Sequence, residues 1–210
     1  MEDILVHPTY FPSIVQMVAI VQAKKIFFEV EDNYQKQTYR NRAYVAHTNG
    51  KLLLNIPIKH SKVGKRQKTK EVEIEDNFPW QSQHWKSLQT AYRTSPYFEF
   101  YEDDIKHLFE ATSTSLLEHN LKTFKTVCDL LGIELDSKIE KTTYYDLSPT
   151  AVKDLRFLVN AKQEKKYNLT PYNQVFENQH GFLSNLSILD LIFNEGTNAL
   201  IYLENQKIKF

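Results

Sequence analysis

The stretch from Ile4 to Val30, ILVHPTYFPSIVQMVAIVQAKKIFFEV, contains the alternation of structure types that decides the fold. Its short apolar run at residues 4–6 predicts a β-strand, which the following prolines interrupt. Pro12 suits the first turn of a helix, where its missing N–H would be unpaired in any case, and an apolar helix is predicted over residues 14–22. KIFFEVED, residues 25–32, predicts a second strand. A strand–helix–strand unit usually makes two parallel strands, and we expect a parallel pair here.

Further strands are predicted downstream. YRNRAYVAH and KLLLNIPIK flank Thr48-Asn49-Gly50, and Asn-Gly is the strongest short hairpin signal, because both residues accept the positive φ of a type I′ turn. EVEIED, residues 71–76, alternates apolar and polar residues as a strand does. The N-terminal part is therefore expected to form a mixed sheet of roughly five strands with at least one helix against it.

The remainder of the chain has helical patterns. Trp85, Leu88 and Tyr92 lie on one helical face, and Ser95-Pro96 should end that helix, because the residue before proline avoids the α region. Further helices are predicted over residues 98–111, residues 115–131 with Gly132 as the stop, and residues 149–160. The expected fold class is α/β: a single domain over residues 1–210 with a mixed β-sheet in the N-terminal part and a helix-rich C-terminal part.

The composition is that of an ordinary globular protein without overall charge. The 26 Lys and Arg residues balance 26 Asp and Glu residues, so no global field favours nucleic acid or an anionic membrane. The first residues carry acids where a secretory signal carries bases, and no run approaches the ~20 apolar residues of a membrane helix. Cys128 is the single cysteine. We expect a cytoplasmic protein that neither binds nucleic acid nor inserts into a membrane.

One nearly unbroken apolar run, HGFLSNLSILDLIFNEG at residues 180–196, contains polar residues that need an explanation. Ser187 and Asp190 have the spacing of a capping box, which satisfies the first N–H groups of a helix. Asn194 and Gly196 suit the other end, so the run is interpreted as a short, fully buried helix. The alternative is that Asp190 is catalytic.

His7 lies just past the first predicted strand. In open α/β sheets the carboxyl ends of the strands face the ligand crevice. A histidine in that position can act as a general base near neutral pH, because its ordinary pKa of roughly 6.5 leaves it partly neutral. The alternative is a loop histidine that is hydrogen-bonded to the backbone.

Two basic segments are candidates for anion binding. YQKQTYRNR, residues 34–42, interleaves basic and aromatic residues, and in an extended chain Arg40 and Arg42 would share one face. The alternative is a charged, solvated sheet edge. KHSKVGKRQKTKE, residues 59–71, is the most basic run; it is either a solvated loop or a flap that carries Lys65, Arg66 and Lys68 over a phosphate-bearing ligand.

SPYFEFYEDD, residues 95–104, places Tyr97 and other rings beside three acids, which suits either sugar recognition or a helix start with core rings. No metal site is expected, because the histidines form no H-x-H or H-x-x-x-H pair and have no cysteine partner. No phosphate loop or G-x-S-x-G motif occurs, and no cofactor is predicted.

Several of these stretches together resemble the WbqC-like family of bacterial proteins. They are HPTYFPSIVQM, NYQKQTYRNRAYV, LLLNIPIKH, HWKSLQTAYRTSPYFEFYEDD, YNQVF, HGFLSNLSILDLIFNEG and a closing YL, and their wording is similar to that of members from Bacteroidetes. The resemblance runs from about His7 to Leu203. It implies a family often linked to surface-polysaccharide (O-antigen) gene clusters, and it favours a sugar-related enzyme.

We therefore expect an enzyme of group transfer that moves an acyl or aminoacyl group onto an activated sugar. His7 is the expected base and Asp190 its orienting partner, and the small-molecule substrate is a nucleotide sugar or an acyl donor. The expected substrate-binding residues are Tyr10, Lys36, Asn41, Arg42, His84, Tyr92, Tyr97, Gln174, His180 and Asn185. Two alternatives stay open: a non-catalytic nucleotide-sugar-binding or scaffold protein, and an interaction domain whose aromatic surface forms an oligomer.

Overall fold

The computed structural model describes residues 2–59, 66–134 and 138–210. Its main sheet contains β1 (Asp3–Val6), β2 (Lys25–Phe28), β5 (Ile139–Lys141) and β6 (Lys153–Asp154), all parallel, in the order β5-β2-β1-β6. The helix α1 (Ile14–Val21) connects β1 to β2. The predicted parallel strand–helix–strand unit is therefore confirmed.

The helix α1 is buried over almost its whole length. Ser13 caps it, since the Ser13 Oγ accepts a hydrogen bond from the Gln16 N–H at 3.3 Å. Pro12 lies one residue before this cap, so its predicted place in the first helical turn is wrong. The chain turns sharply just before, where Phe11 has a φ of +41°.

The predicted hairpin is present as β3 (Arg42–His47) and β4 (Gly50–Asn55), an antiparallel pair whose ladder closes at His47 and Gly50. The type I′ turn is wrong in detail. Gly50 has a φ of +101°, whereas Asn49 is not among the residues with positive φ. The left-handed position thus falls on the glycine alone, as in hairpin loops in which a glycine follows the turn.

The expected α/β fold class is confirmed. The expected arrangement of about five strands in one mixed sheet is wrong. The hairpin forms a separate two-stranded sheet, and the parallel sheet receives its outer strands from residues beyond 138. Residues 71–76 form no continuous strand: they make isolated bridges at Glu73↔Ser115 and Ile74↔Ile58, after a 3₁₀ turn at Thr69–Glu71. The alternation of apolar and polar residues over 71–76 therefore reflects the burial of the Val72 and Ile74 side chains. It does not reflect a continuous ladder of strand hydrogen bonds.

The central helices follow their sequence signals. They are α2 (Trp80–Tyr92), α3 (Phe98–Glu110) and α4 (Leu116–Leu131). Ser115 caps α4 by accepting from the Glu118 N–H at 3.3 Å, and Gly132 ends it in the left-handed conformation with a φ of +69°. The residues at the two ends of α4 are sufficient to set its length, because each capping residue lies within one turn of the helix end that it fixes.

The helix predicted over residues 149–160 is wrong. This segment instead forms β6 and a 3₁₀ turn at Arg156–Val159. The backbone of Leu155 donates to the Leu5 carbonyl at 2.9 Å, so the open edge of β1 captures the segment as a strand. Pairing with β1, which is distant in the sequence, therefore overrides the local pattern that predicted a helix here.

The chain closes with α5 (Glu177–His180), α6 (Ile188–Glu195) and α7 (Ala199–Asn205). Residues 188–194 of α6 are all buried, which confirms the short, fully buried helix. Ser187 caps it, but the capping box is wrong in its second half, because the Asp190 carboxylate contacts tyrosines of other segments instead of the helix start. No helix of the described ranges combines the length and apolarity that crossing a membrane requires.

Gly196 follows α6 at a point where a side chain would not fit. Its φ is +55°, and a Cβ there would lie 2.6 Å from Tyr97 Cδ1. We expect Gly196→Ala to lower the free energy of unfolding by about 2–4 kcal/mol, through overpacking and the left-handed backbone. Urea unfolding checks this. Gly132→Ala is the control, since its φ is also positive but nothing lies within 4 Å; equal losses in both variants would contradict the steric argument.

Candidate functional site

The carboxyl ends of the parallel strands bring polar side chains from separated segments together. His7 follows β1, Glu29 follows β2, Thr142 follows β5 and Arg156 lies just beyond β6. In open α/β sheets this edge is where ligands bind.

His7, Asp32 and Arg40 form a buried cluster at this edge. Arg40 Nη2 lies 2.5 Å from Asp32 Oδ2 and 3.0 Å from His7 Nε2, and His7 Nε2 lies 3.8 Å from Asp32 Oδ2. His7 Nδ1 lies 3.4 Å from the Glu29 carbonyl oxygen, which can only accept. Arg40 Nη2 also lies 3.2 Å from His7 Nδ1, so the tautomer is assigned from the Glu29 carbonyl: the ring proton is placed on Nδ1, and Nε2 accepts from Arg40.

Burial sets the charges in this cluster. It lowers the pKa of His7 well below its ordinary value, and the Arg40 charge lowers it further, so the ring is neutral at neutral pH. Burial also lowers the pKa of Arg40, but Asp32 opposes this shift and the guanidinium stays charged. A neutral imidazole is the form that a general base needs, and Arg40 occupies its lone pair in this arrangement.

Glu29 and Arg156 fix the ends of the strands around this cluster. The fully buried Glu29 accepts hydrogen bonds from Thr142 Oγ1 at 2.9 Å and from Arg156 Nη1 at 3.3 Å. Arg156 also donates to Asp154 through Nε at 2.9 Å and Nη2 at 2.6 Å. These contacts join β2, β5 and β6 into one rigid edge.

A cavity of about 530 Å³ lies on the segment that follows Asp32, and Lys36, Asn41 and Arg42 are among its lining residues. Three of the predicted substrate-binding residues therefore share one cavity. Tyr34 lines it as well; burial raises the pKa of Tyr34 to about 12, and the charges of both Arg40 and Arg42 oppose that shift.

The cavity has unused hydrogen-bonding capacity. Arg42 Nε and Asn41 Oδ1 are buried and have no hydrogen-bond partner within the described ranges. Asn41 is held in place because its Nδ2 donates to the Ile56 carbonyl at 2.9 Å. One carboxylate, Glu75, also lines the cavity, and its Oε1 accepts from the Asn77 N–H at 3.2 Å. The balance of cations favours an anionic ligand.

The described end of the basic run, residues 66–71, lies against the same segment. Lys68 Nζ donates to Glu31 at 2.7 Å, and a backbone bridge joins Lys68 to Asn33. Arg66 is exposed. Lys65 lies outside the described residues.

Asp190 belongs to a second buried network. Tyr92 Oη donates to its Oδ1 at 2.6 Å, and Tyr172 Oη and Gln174 Nε2 donate to its Oδ2, the latter at 3.0 Å. Burial raises the pKa of Asp190, which these three donors oppose. No hydrogen bond or ion pair found in the described part of the chain joins Asp190 to His7. The network connects α6 with α2 and with residues 172–174.

Tyr10 and His84 lie in an aromatic cluster under the site. Tyr10 Oη and His84 Nδ1 are 3.0 Å apart, and the rings of Trp80 and His119 pack around them. Both predicted residues are buried.

The last three predicted residues lie elsewhere. The Tyr97 ring packs against Gly196, and His180 Nε2 lies 3.0 Å from the His47 carbonyl oxygen. Asn185 accepts a hydrogen bond from the Val15 N–H at 2.8 Å and lines a different cavity. The predicted residues thus form several groups instead of one.

Sequence reasoning missed Glu29 and Asp32 and misjudged Arg40. The signal for the two acids was present, because both lie in the C-terminal half of the predicted strand 25–32, near the same edge as His7. Arg40 was paired with Arg42 by alternation, yet it is buried against Asp32 while Arg42 faces the cavity. Within the described ranges, no group of three or more potential metal ligands was found.

The chain belongs to the WbqC-like protein family, whose family profile matches residues 7–167. It is also similar to an uncharacterized protein of Mycobacterium tuberculosis (strain ATCC 25618 / H37Rv), Rv1507c, at 23% identity over 227 residues, which cover 95% of this chain and 96% of that protein. No solved structure shows a significant match.

The buried histidines predict a loss of stability in acid. Burial lowers the pKa of His84 and of His119 to about 4, and the pKa of His7 is lowered as well. These groups stabilise the fold fully above the unfolded pKa of roughly 6.5, and that contribution is lost as the pH falls towards 4. Each histidine adds a slope of up to about 1.4 kcal/mol per pH unit to the free energy of unfolding.

His119→Leu isolates one of these contributions, because His119 Nε2 has no partner in the described part of the chain. Urea unfolding at pH 7.5, 6.0 and 5.0 should show a shallower loss for His119→Leu than for the wild type. Parallel curves would show that His119 does not titrate as inferred.

Proposed function

We propose that the protein is a cytoplasmic enzyme of group transfer, which moves an acyl or aminoacyl group onto an activated sugar during the assembly of a surface polysaccharide such as O-antigen. The observation that carries this proposal is that residues lining the cavity, among them Tyr34, Lys36 and Arg42, come from the same stretch of chain as Asp32 and Arg40 of the buried cluster. Membership of the WbqC-like family agrees with a sugar-related role.

In this proposal the cavity binds the phosphate groups of a nucleotide sugar. Arg42 supplies the unpaired Nε–H, Lys36 adds a second positive charge, and the exposed ring of Phe78 gives an apolar face on which a base can stack. A guanidinium suits this task because its donors match the geometry of phosphate oxygens.

The transfer itself is assigned to the buried cluster. An amine or hydroxyl of the sugar attacks the carbonyl carbon of an activated acyl donor, such as a thioester; the new N–C or O–C bond forms, and the bond from that carbon to the leaving group breaks. His7 Nε2 gives up its hydrogen bond from Arg40 and accepts the proton of the attacking group. Asp32, 3.8 Å away, then faces the protonated ring.

A specific observation favours the alternative of a non-catalytic nucleotide-sugar-binding or scaffold protein. His7 is 5% exposed and its Nε2 already accepts a hydrogen bond from Arg40. In that case His7 holds Arg40 in place and no proton transfer occurs.

The anion role predicts a change in binding. Arg42→Ala should weaken the binding of inorganic pyrophosphate by about tenfold or more, because a charge-assisted hydrogen bond contributes about 1.5–3 kcal/mol. Titration calorimetry at two salt concentrations measures this, with Arg93→Ala, at the exposed end of α2, as the matched control. Unchanged affinity in Arg42→Ala would remove the anion site from the account.

The catalytic role predicts a separation of turnover from binding. In His7→Gln the amide can still contact the Glu29 carbonyl and Arg40, so pyrophosphate affinity should be retained. Product formation from nucleotide sugars and acyl thioesters, followed by mass spectrometry, should fall by about 10²–10⁴-fold, the usual contribution of one positioned base. Ligand-dependent stabilisation without any product in the wild type would favour the binding protein, and full turnover in His7→Gln would exclude His7 as the base.

A further inference from the structure

A second cavity, of about 210 Å³, lies apart from the Arg42 cavity and shares none of its lining residues. A cavity of this volume suits one small molecule. Glu164, Tyr167 and Asn185 line it, with Phe157 and Asn160. None of these residues has a role in the proposed function, although Asn185 was predicted from the sequence to bind substrate.

Glu164 presents one free carboxylate oxygen. Its Oε1 accepts hydrogen bonds from Tyr39 Oη at 2.6 Å and from Asn185 Nδ2, whereas its Oε2 has no partner in the part of the chain that the structure describes. Asn185 is itself fixed, because its Oδ1 accepts from the Val15 N–H at 2.8 Å and its backbone has a φ of +52°. A non-glycine residue keeps such a conformation only where its surroundings hold it, so the carboxylate is held rigidly.

The other lining groups add polar and apolar contacts. Tyr167 Oη is buried and has no hydrogen-bond partner within the described ranges. Asn160 Oδ1 accepts from the N–H groups of Lys162 and Gln163, which leaves its amide N–H₂ for other contacts. The ring of Phe157 is 39% exposed. Lys165 lines the cavity too, with its Nζ over that ring at 4.4 Å from the centroid.

We propose that this cavity binds a small amino sugar through its ammonium group. The ammonium donates to Glu164 Oε2 and Tyr167 Oη, the amide of Asn160 contacts a hydroxyl, and the Phe157 ring packs against the C–H face of the sugar. An uncharged sugar lacks the interaction with the carboxylate. This inference does not rest on the proposed function, since it concerns a separate cavity.

Titration calorimetry of the full chain with D-glucosamine at pH 6.5 tests the proposal, with D-glucose and N-acetyl-D-glucosamine as matched ligands without the positive charge. Glucosamine should bind saturably and at least tenfold more tightly than either. Glu164→Gln should weaken its binding at least tenfold, as expected for the loss of a hydrogen bond between charged groups. Arg42→Ala should leave it unchanged, which separates this site from the anion cavity.

Tyr167→Phe keeps the test decisive if Glu164→Gln does not fold. It removes only a hydroxyl that has no partner within the described ranges, so the unfolding midpoint should stay constant while glucosamine binding weakens severalfold. Absence of saturable glucosamine binding to the wild type, or equal binding of glucose, would overturn the proposal. Unchanged glucosamine affinity in folded Glu164→Gln or in Tyr167→Phe would do the same.

Discussion

The buried ion pair between Arg40 and Asp32 is the interaction on which the arrangement of the site depends. The guanidinium is 1% exposed and lies 2.5 Å from the carboxylate. Asp32 also accepts from Thr69 Oγ1 at 2.6 Å, and the Arg40 carbonyl accepts from Asn120 Nδ2 at 2.7 Å. The pair therefore holds residues 32–40 against α4 and the strand edge. Removing one partner of such a pair typically costs 3–5 kcal/mol, because the other charge stays buried.

This constraint separates two arginines that are two residues apart. Arg40 is buried inside the protein, where its Nη2 pairs with Asp32; burial and the Arg40 charge together keep His7 uncharged, and the Arg40 Nε, like that of Arg42, has no partner in the described residues. Arg42 begins the hairpin and is one of the residues that line the cavity. In the proposed function, the same short ribbon supplies one structural cation and one cation for a ligand. Asp190 is a second charged residue with a structural role. Its carboxylate, in a fully buried helix, accepts hydrogen bonds from Tyr92, Tyr172 and Gln174.

Local signals predicted what local physics decides. The Gly132 stop of α4, the parallel strand pair and the hairpin were all predictable, because each depends on residues close in sequence. Pairing across the chain was not: β6 forms because it meets the edge of β1, about 150 residues away in the sequence, and the local pattern there predicted a helix. For the site, the residue types at His7, Asn41 and Arg42 suggested their chemistry. The partner of Arg40 could not be predicted from the sequence, because both Asp32 and Arg42 are close to it along the chain. Only the tertiary structure shows that Arg40 lies against Asp32.

The most direct test observes the two arginines separately. In ¹⁵N–¹H spectra of the arginine side chains, addition of pyrophosphate should shift the Nε–H resonance of Arg42 and leave that of Arg40 in place, because Asp32 holds Arg40 inside the protein. A resonance of Arg42 that does not respond, or one of Arg40 that moves as far as that of Arg42, would contradict the division of roles.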